Sequence, residues 1–258
     1  FHDGTPFTAD DVIYSFQRAM QPTSDMKSLL LSVETMTKVD DLTLQIKTKA
    51  PNPIFPSNLN NLFVMSKEWS EKNGAGTVQN FKGGVTNYAV LNANGTGPYM
   101  LVSREPGIKT VLKRFDGYWG KGLVPLEISD ITYLPLQSDA ARLDALVSGE
   151  VDFVQDVPVG ELDKIGADPK VHVNVGPENR SIFIGLNVGG AELRNSDVKG
   201  RNPLADKRVR QAINMTVNRA QIQKTTMKGQ SLPTGTIVPP GVNGYAKELD
   251  VIPPVDPA

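Results

Sequence analysis

The chain has 258 residues, of which 39% are hydrophobic and 21% charged, and its 27 basic and 28 acidic side chains give a formal charge of −1. These values are typical of a folded protein of one or two domains and exclude a disordered tail, a collagen-like repeat or a coiled coil. The balanced charge gives no electrostatic footprint for nucleic acid, and the absence of cysteine excludes disulfides and thiolate metal sites. Apolar runs such as 181–188 are far shorter than the ~18 residues that span a bilayer, so we expect a soluble protein.

Both ends of the sequence have the character of cut points. The chain begins with Phe1 instead of Met, shortly before a predicted helix, and it ends on the proline-rich run VIPPVDPA. Proline-rich runs without periodicity are typical of linkers. We therefore expect the chain to be part of a longer protein.

The first predicted element is an amphipathic helix. Thr8, followed three residues later by Asp11, has the spacing of a capping box, and Asp10 adds a carboxylate at the positive end of the helix. Apolar residues then recur at helical spacing as far as Pro22, at Val12, Ile13, Phe16, Ala19 and Met20. The pattern predicts a helix with one buried face.

A strand, two short helices and a hairpin are predicted next. Residues 43–47 alternate between polar and apolar side chains, which is typical of a strand. The three prolines of 50–56 exclude a central strand there, so this loop is predicted to lead into a short helix at 57–63, and a second short helix is predicted at 68–72. Pro106 and Gly107 supply a turn between strands at 99–103 and 110–115. The run Gly95–Pro98 leads into a strand and is therefore not predicted to be a phosphate loop.

The second half of the chain predicts an α/β arrangement. An extended run at 128–135, a helix at 139–147 stopped by Gly149 and an apolar run at 151–154 have the order of a βαβ unit, which implies parallel pairing. The remaining predicted elements are a helix at 157–165, strands at 171–175 and 181–187, and a long amphipathic helix at 203–219.

No residue pattern requires catalysis. The two histidines, His2 and His172, are read as a chain-end residue and an exposed strand position, so neither a catalytic triad nor a histidine metal site is predicted. Glu150 and Asp152 lie two residues apart and leave open a carboxylate-dependent hydrolase, although Glu150 is expected to be solvated after the helix stop. No cofactor and no metal site are predicted.

Six segments in fixed order resemble the peptide-type solute-binding proteins, family 5, that serve oligopeptide, dipeptide and nickel ABC transporters. The segments are DGTPFTADDVIYSFQRAM, APNPIFP, GTGPYML, LKRFDGYWG, RLDALVSGEVDFV and NPLADKRVRQAINMTVNR. The resemblance implies a type II periplasmic-binding-protein-like lobe, with a mixed sheet, flanking helices and the second lobe absent. It implies part of an accessory subdomain at 1–66, the α/β core of lobe one at 67–245, and a proline-rich segment toward the second lobe at 246–258.

The same resemblance implies a binding protein and not an enzyme. The expected role is capture of di- or oligopeptides outside the cytoplasm, in the periplasm or on a lipid anchor, and delivery to a membrane permease. The full-length protein is expected to be a monomer that binds no nucleic acid. Nickel chelates, opines or oligosaccharides are alternative ligands, and a sensory or chaperone-like use of the fold is an alternative function.

Two places are implied to line the ligand cleft. One is the loop 58–63, with Asn60, Asn61 and Phe63. The other is the strand 180–187, with Arg180, Ser181, Phe183 and Asn187. Asn187 and Ser181 would supply polar contacts, and the two phenylalanines apolar walls. Two alternatives stay open, since Asn187 could cap its strand and alternation places Phe183 in the core.

Overall fold

A computed structural model describes residues 1–84, 86–176 and 178–256, and the chain divides into two units, Phe1–Pro135 and Leu136–Ala258. Each unit is described by itself. The domain boundaries predicted after residues 66 and 245 stay a prediction.

The residues described in the first unit form four helices, five strands and two short 3₁₀ turns. The helices are α1 (Ala9–Ala19), α2 (Phe55–Asn58), α3 (Lys67–Lys72) and α4 (Tyr88–Leu91). The strands are β1 (Val33–Asp40), β2 (Thr43–Thr48), β3 (Tyr99–Glu105), β4 (Lys109–Arg114) and β5 (Asp130–Tyr133), and the 3₁₀ turns are Asp25–Leu30 and Leu59–Asn61. The predicted first helix, the strand at 43–47 and the short helix at 68–72 are confirmed. The helix predicted at 57–63 is instead α2 followed by a 3₁₀ turn.

In the first turn of α1, the carboxylate of Asp11 both caps the helix and bonds a second helix. Asp11 accepts hydrogen bonds from the backbone N–H of Thr8 at 2.8 Å and from its hydroxyl at 2.9 Å. Its other oxygen accepts from the backbone N–H of Lys67 at 2.8 Å, at the start of α3. Asp11 is buried. One side chain therefore both caps α1 and fixes the start of α3 against it.

The core of the first unit lies between α1, the β1–β2 hairpin and α2. Phe16 of α1 packs with Leu30 and Phe55, and partly buried side chains surround this cluster. These side chains come from α1, from β1 and β2, and from the 3₁₀ turn Leu59–Asn61 with the residue after it. They are Val12, Ala19, Met20, Val33, Met36, Ile46, Leu59 and Leu62. The apolar face predicted for α1 is thus buried against local partners, which is how an amphipathic helix is stabilised.

Two antiparallel sheets carry the strands. β1 pairs with β2, and β3, β4 and β5 form a second sheet in that order. The β3–β4 hairpin was predicted and is confirmed, with register Leu101↔Leu112. β5 pairs antiparallel with β4, which places Ile131 opposite Leu112.

The start of the chain is fastened to the segment before β3, in a contact that we call the clasp (His2 and Asp3 against residues 94–97). The backbone N–H of His2 donates to Gly95 O at 2.9 Å, its Nδ1 accepts from the Gly95 N–H at 3.3 Å, and its Nε2 bonds Gly97 O at 2.9 Å. Asp3 and Asn94 exchange two further bonds, at 3.2 and 2.7 Å. His2 thus has a structural role in this contact.

The second unit contains helices and turns. Its helices are α5 (Asp139–Ser148), α6 (Leu162–Gly166), α7 (Lys207–Thr216) and α8 (Arg219–Gln221). Short turns at Val159–Glu161, Pro203–Ala205, Ile222–Thr226 and Lys247–Leu249 accompany them. Helix α5 is confirmed where it was predicted, with Ser138 as N-cap and Gly149 in the left-handed region at φ 78°. The long helix predicted at 203–219 is shorter in the structure, because Asp206 is extended, separates the 3₁₀ turn from α7 and caps α7, which ends at Thr216.

The predicted βαβ unit is wrong. Beyond Gly149, the N–H groups of Glu150 and Val151 both donate to Ala145 O, at 2.9 and 3.1 Å, so the chain folds back on the last turn of α5. These amides are unavailable to a strand ladder, and residues 151–154 form no strand. The residues described in 171–175 and 181–187 also form no strand, since no described segment pairs with them. The α/β class is confirmed, with all described strand pairs antiparallel.

In the described part of the chain, every helix is too short or too polar to cross a bilayer.

Candidate functional site

The first predicted contact region is a turn whose shape follows from its leucines. Residues Leu59–Asn61 form a 3₁₀ turn that Leu62 closes by donating its N–H to Leu59 O at 3.0 Å. Leu59 and Leu62 both pack against the Phe16 cluster. Because these two side chains turn inward, the residues beside them are left on the surface.

The three predicted residues of this turn are all exposed. Asn60, Asn61 and Phe63 lie within four positions of one another, and Phe63 is 88% exposed. The structure therefore brings two amides and an aromatic ring to one surface of the first unit. This grouping suits recognition of a polar ligand with an apolar part. Their role as ligand residues stays a prediction.

A cavity that the sequence did not predict begins where this turn ends. Val64 and Met65 form part of its wall, together with Arg18 of α1 and Trp69 of α3, and its volume is about 320 Å³. We call it the Arg18 pocket. Neither Arg18 nor Trp69 stands out in the sequence, because both occupy ordinary positions on amphipathic helices. Only the tertiary arrangement of α1, α3 and residues 89–95 shows that they share a cavity.

Arg18 is held in place by backbone carbonyl groups. Its Nε donates to Ala75 O at 3.0 Å and its Nη2 to Thr77 O at 3.3 Å. Within the described residues, no carboxylate lies within 4.0 Å of this guanidinium. Burial lowers the pKa of Arg18 from its usual value, because removal from water disfavours the charged form. The pocket therefore carries a positive charge that no acidic side chain described here neutralises.

The second predicted region lies in the second unit and is anchored at both ends. The Ser181 hydroxyl donates to Ile237 O at 2.8 Å, and the side-chain amide of Asn202 donates to Asn187 O at 3.1 Å. Asn202 is buried and also donates to Gly190 O at 2.9 Å. These bonds hold the extended segment, residues 181–187, without a strand partner among the described residues. Asn202 is the residue that sequence reasoning missed here, and its N-cap position before Pro203 was the available signal.

Between these anchors the extended segment presents apolar side chains to solvent. Ile182 and Ile184 are exposed, and Phe183 is 66% exposed. The alternative that places Phe183 in the core is therefore wrong in this structure, since neighbours on both faces are exposed with it. Three consecutive apolar residues are exposed where alternation would bury one face.

The polar residues of this region have local partners. Arg180 pairs with Glu178 at 2.9 Å, so its charge is compensated, in contrast to that of Arg18. Asn187 Oδ1 accepts from the Gly189 N–H at 3.2 Å, which is a turn-forming bond and not a strand cap. The four residues lie within eight positions of one another in the second unit. Their assignment to a ligand site, like that of the turn residues, stays a prediction.

The residues considered for catalysis have ordinary surroundings. Glu150 and Asp152 are both exposed in the turn after α5, and His172 is exposed as predicted. Catalytic carboxylates are usually buried or close to another charge, and both of these carboxylates are exposed.

A family model described as bacterial extracellular solute-binding proteins, family 5, middle, matches residues 1–258. The chain is 26% identical over 252 residues to the glutathione-binding protein GsiB of Pectobacterium atrosepticum, which covers 96% of this chain and 44% of that protein. It is 25% identical over 249 residues to GsiB of Escherichia coli K12, with coverages of 96% and 44%. The chain thus spans about half the length of the curated relatives it matches.

Solved structures agree with these matches. The binding protein AgaA from A. tumefaciens R10, in complex with agropinic acid, is similar with a TM-score of 0.66 and 25% identity, over 96% of this chain and 46% of that one. OppA of Burkholderia pseudomallei is similar with a TM-score of 0.65 and 26% identity, over 94% and 47%. The predicted binding-protein-like fold class is confirmed.

Proposed function

Because the chain belongs to the bacterial extracellular solute-binding proteins of family 5, we propose that its protein captures a small solute outside the cytoplasm and delivers it to an ABC permease. The family match over residues 1–258 is the observation that carries this proposal. The protein acts by binding and release, without covalent chemistry. It works as a monomer, in the periplasm or on a lipid anchor.

Short peptides are the proposed ligand class. Glutathione, the ligand in the name of the GsiB relatives, is itself a tripeptide, and OppA-type proteins share the fold. A peptide offers amides and apolar side chains, which the exposed amides of Asn60 and Asn61 and the rings of Phe63 and Phe183 match in chemistry. The complex of AgaA with agropinic acid supports an opine as the second candidate.

Native mass spectrometry of the full-length protein purified from its host tests the ligand class. We expect a set of co-purified masses that differ by amino-acid residues. A single non-peptide mass, such as that of an opine or a nickel chelate, would overturn the peptide assignment while leaving import intact. Turnover of any peptide that ceases on joint substitution of Glu150 and Asp152 would overturn the binding role itself.

Two matched pairs of phenylalanines test the predicted contact residues in the full-length protein. Phe63→Ala is compared with Phe81→Ala, since these side chains are 88% and 87% exposed in the same unit. Phe183→Ala is compared with Phe153→Ala, at 66% and 79% in the second unit. Calorimetric titration with the co-purified ligand should show at least about tenfold weaker binding for the first member of each pair. Equal affinities within a pair would remove that residue from the site.

A further inference from the structure

The Arg18 pocket is a half-open depression that is large enough for a small molecule. Its volume of about 320 Å³ lies at the lower end of the range for such sites, which are mostly apolar with a few polar groups that fix orientation. Val64, Met65, Ala93 and the ring of Trp69 supply apolar wall, and Arg18 and Asn92 supply polar groups. The pocket lies wholly within the first unit.

The charge of Arg18 indicates which ligand would fit. A half-buried cation is unfavourable unless an anion or several hydrogen bonds compensate it. Two of its three nitrogens donate to carbonyl groups, and in the described part of the chain no acidic side chain pairs with it. The carbonyl bonds also fix the plane of the guanidinium. A carboxylate is the natural partner of such a fixed planar donor group.

The walls indicate the rest of the ligand. The indole of Trp69 lies 5.6 Å from the ring of Tyr88, centroid to centroid, so its orientation is held by a neighbouring aromatic. A held aromatic face beside short apolar side chains suits a compact apolar body. The Nδ2 of Asn92 donates to Tyr88 O at 3.1 Å, and its Oδ1 can still accept a hydrogen bond.

We infer that the Arg18 pocket binds a small organic carboxylate, with the carboxylate on Arg18 and an apolar body against Trp69. The inference goes beyond the proposed import function, because binding at this pocket is a property of the first unit whether or not an importer is served. Failure of peptide import would leave it standing, and its own failure would leave import standing.

Phenylacetate and its neutral analogue phenylacetamide are the probes. The chain has two tryptophans, so Trp119→Phe, which changes an exposed residue, leaves Trp69 as the only indole. Titration of this variant, followed by indole fluorescence and by calorimetry, should show saturable binding of phenylacetate. Phenylacetamide should bind at least about tenfold more weakly, because it lacks the charge that strengthens the bond to a guanidinium.

Three variants complete the test. Arg18→Gln should weaken phenylacetate at least about tenfold and abolish the preference over phenylacetamide. Arg104→Gln, at an exposed arginine of the same unit, should change neither affinity. Because Arg18 also holds the loop at 75–77, Ala93→Leu serves as a variant that leaves those bonds intact and enlarges a side chain of the pocket lining, and it should weaken binding of both probes. Equal affinity for the two probes, no saturable binding, or full affinity in Ala93→Leu would each overturn the inference.

Discussion

Phe16 in the first unit and Phe153 in the second are both aromatic, yet Phe16 is 4% exposed and Phe153 is 79% exposed. The first unit places a helix, a hairpin and a short helix around one cluster, so its apolar residues find partners nearby in the chain. In the second unit the buried apolar residues that the structure describes are Leu143, Ala145 and Ile165, and many large ones stay exposed. Three of the four helices described in this unit, α5, α7 and α8, have a side-chain N-cap all the same. Capping and turns therefore specify helices locally, whereas a core needs elements that pack together.

The largest expected effect separates the two phenylalanines. Phe16→Ala should lower the free energy of unfolding by about 3–5 kcal/mol, because it leaves a cavity in a packed cluster. Phe153→Ala should change it by less than about 0.5 kcal/mol. Urea unfolding followed by far-ultraviolet circular dichroism measures both variants, because both units contain helices. Equal midpoints for the two variants would contradict the comparison.

A smaller loss is expected at the carboxylate that joins α1 to α3. Asp11→Asn replaces one acceptor oxygen by an NH₂ group that faces an N–H donor, so a buried polar pair is lost at a cost of about 1–3 kcal/mol. The control is Asp10→Asn, whose exposed carboxylate bridges Lys38, and it should give a smaller loss. The same urea experiment measures both. A larger effect at Asp10 would mean that the surface ion pair, and not the buried carboxylate, stabilises this helix start.

The second unit is tested through its helix stop. Gly149→Ala should destabilise α5 by about 1 kcal/mol, since alanine pays for the left-handed conformation at φ 78° although nothing nearby obstructs its methyl group. Gly160→Ala is the matched control, because Gly160 is equally unobstructed and has no positive φ. Hydrogen exchange of the α5 peptide should quicken only in the first variant. Unchanged protection there would show that this cap contributes nothing to the unit.

The smallest expected effect depends on pH. The carboxylate of Asp250 accepts from the Gly235 N–H, from the Thr234 hydroxyl at 2.8 Å and from the Tyr245 hydroxyl at 2.9 Å. These bonds, that of Gly235 first, lower the pKa of Asp250, and the bond to Asp250 raises the pKa of Tyr245. Because the pKa of Asp250 is lower in the folded protein than in the unfolded chain, where it is about 4, the charged carboxylate stabilises the unit above about pH 4. This stabilisation is lost as the pH falls through the pKa of Asp250 in the folded protein.

Wild type and Asp250→Asn should therefore differ in stability near neutral pH and converge below about pH 4. Hydrogen exchange of peptides that cover residues 234–250 measures the difference across that range. A gap that stays constant from neutral to acid pH would mean that the bonds of Asp250 do not depend on its charge.

Local signals predicted α1, α3 and α5, but they missed α4 and α8, and the helices expected at 57–63 and 203–219 are shorter in the structure. Thr8 and Gly149 act only on their neighbours in sequence, so the boundaries they mark are confirmed. The sequence did not predict strand β1. A strand normally buries every second residue, but the partly buried residues of β1, Val33 and Met36, lie three positions apart. A register shift between Val33 and Thr35 accommodates them. Pairing depends on a distant partner, which the sequence of the strand itself does not specify.

The candidate site shows the same division. The family resemblance pointed to the turn at Asn60–Phe63 and to the extended segment, because it implied that both line the ligand cleft. It did not point to Arg18, since an arginine on an amphipathic helix reads as a solvated residue. Its role in a cavity depends on Ala75, Thr77 and Trp69, which reach it only through tertiary packing.

The clasp has a consequence for how this protein can change over evolution. Asp3 and Asn94 are separated by 91 positions in sequence and bond each other directly, so the two ends of the segment between them lie side by side. A stretch whose two ends adjoin behaves as a cassette that can be lengthened, trimmed or exchanged without displacing the chain on either side. The turn at Asn60–Phe63 and most of the Arg18 pocket would travel with it. Relatives could thus acquire new binding surfaces by replacing one insert while the sheet that follows keeps its register.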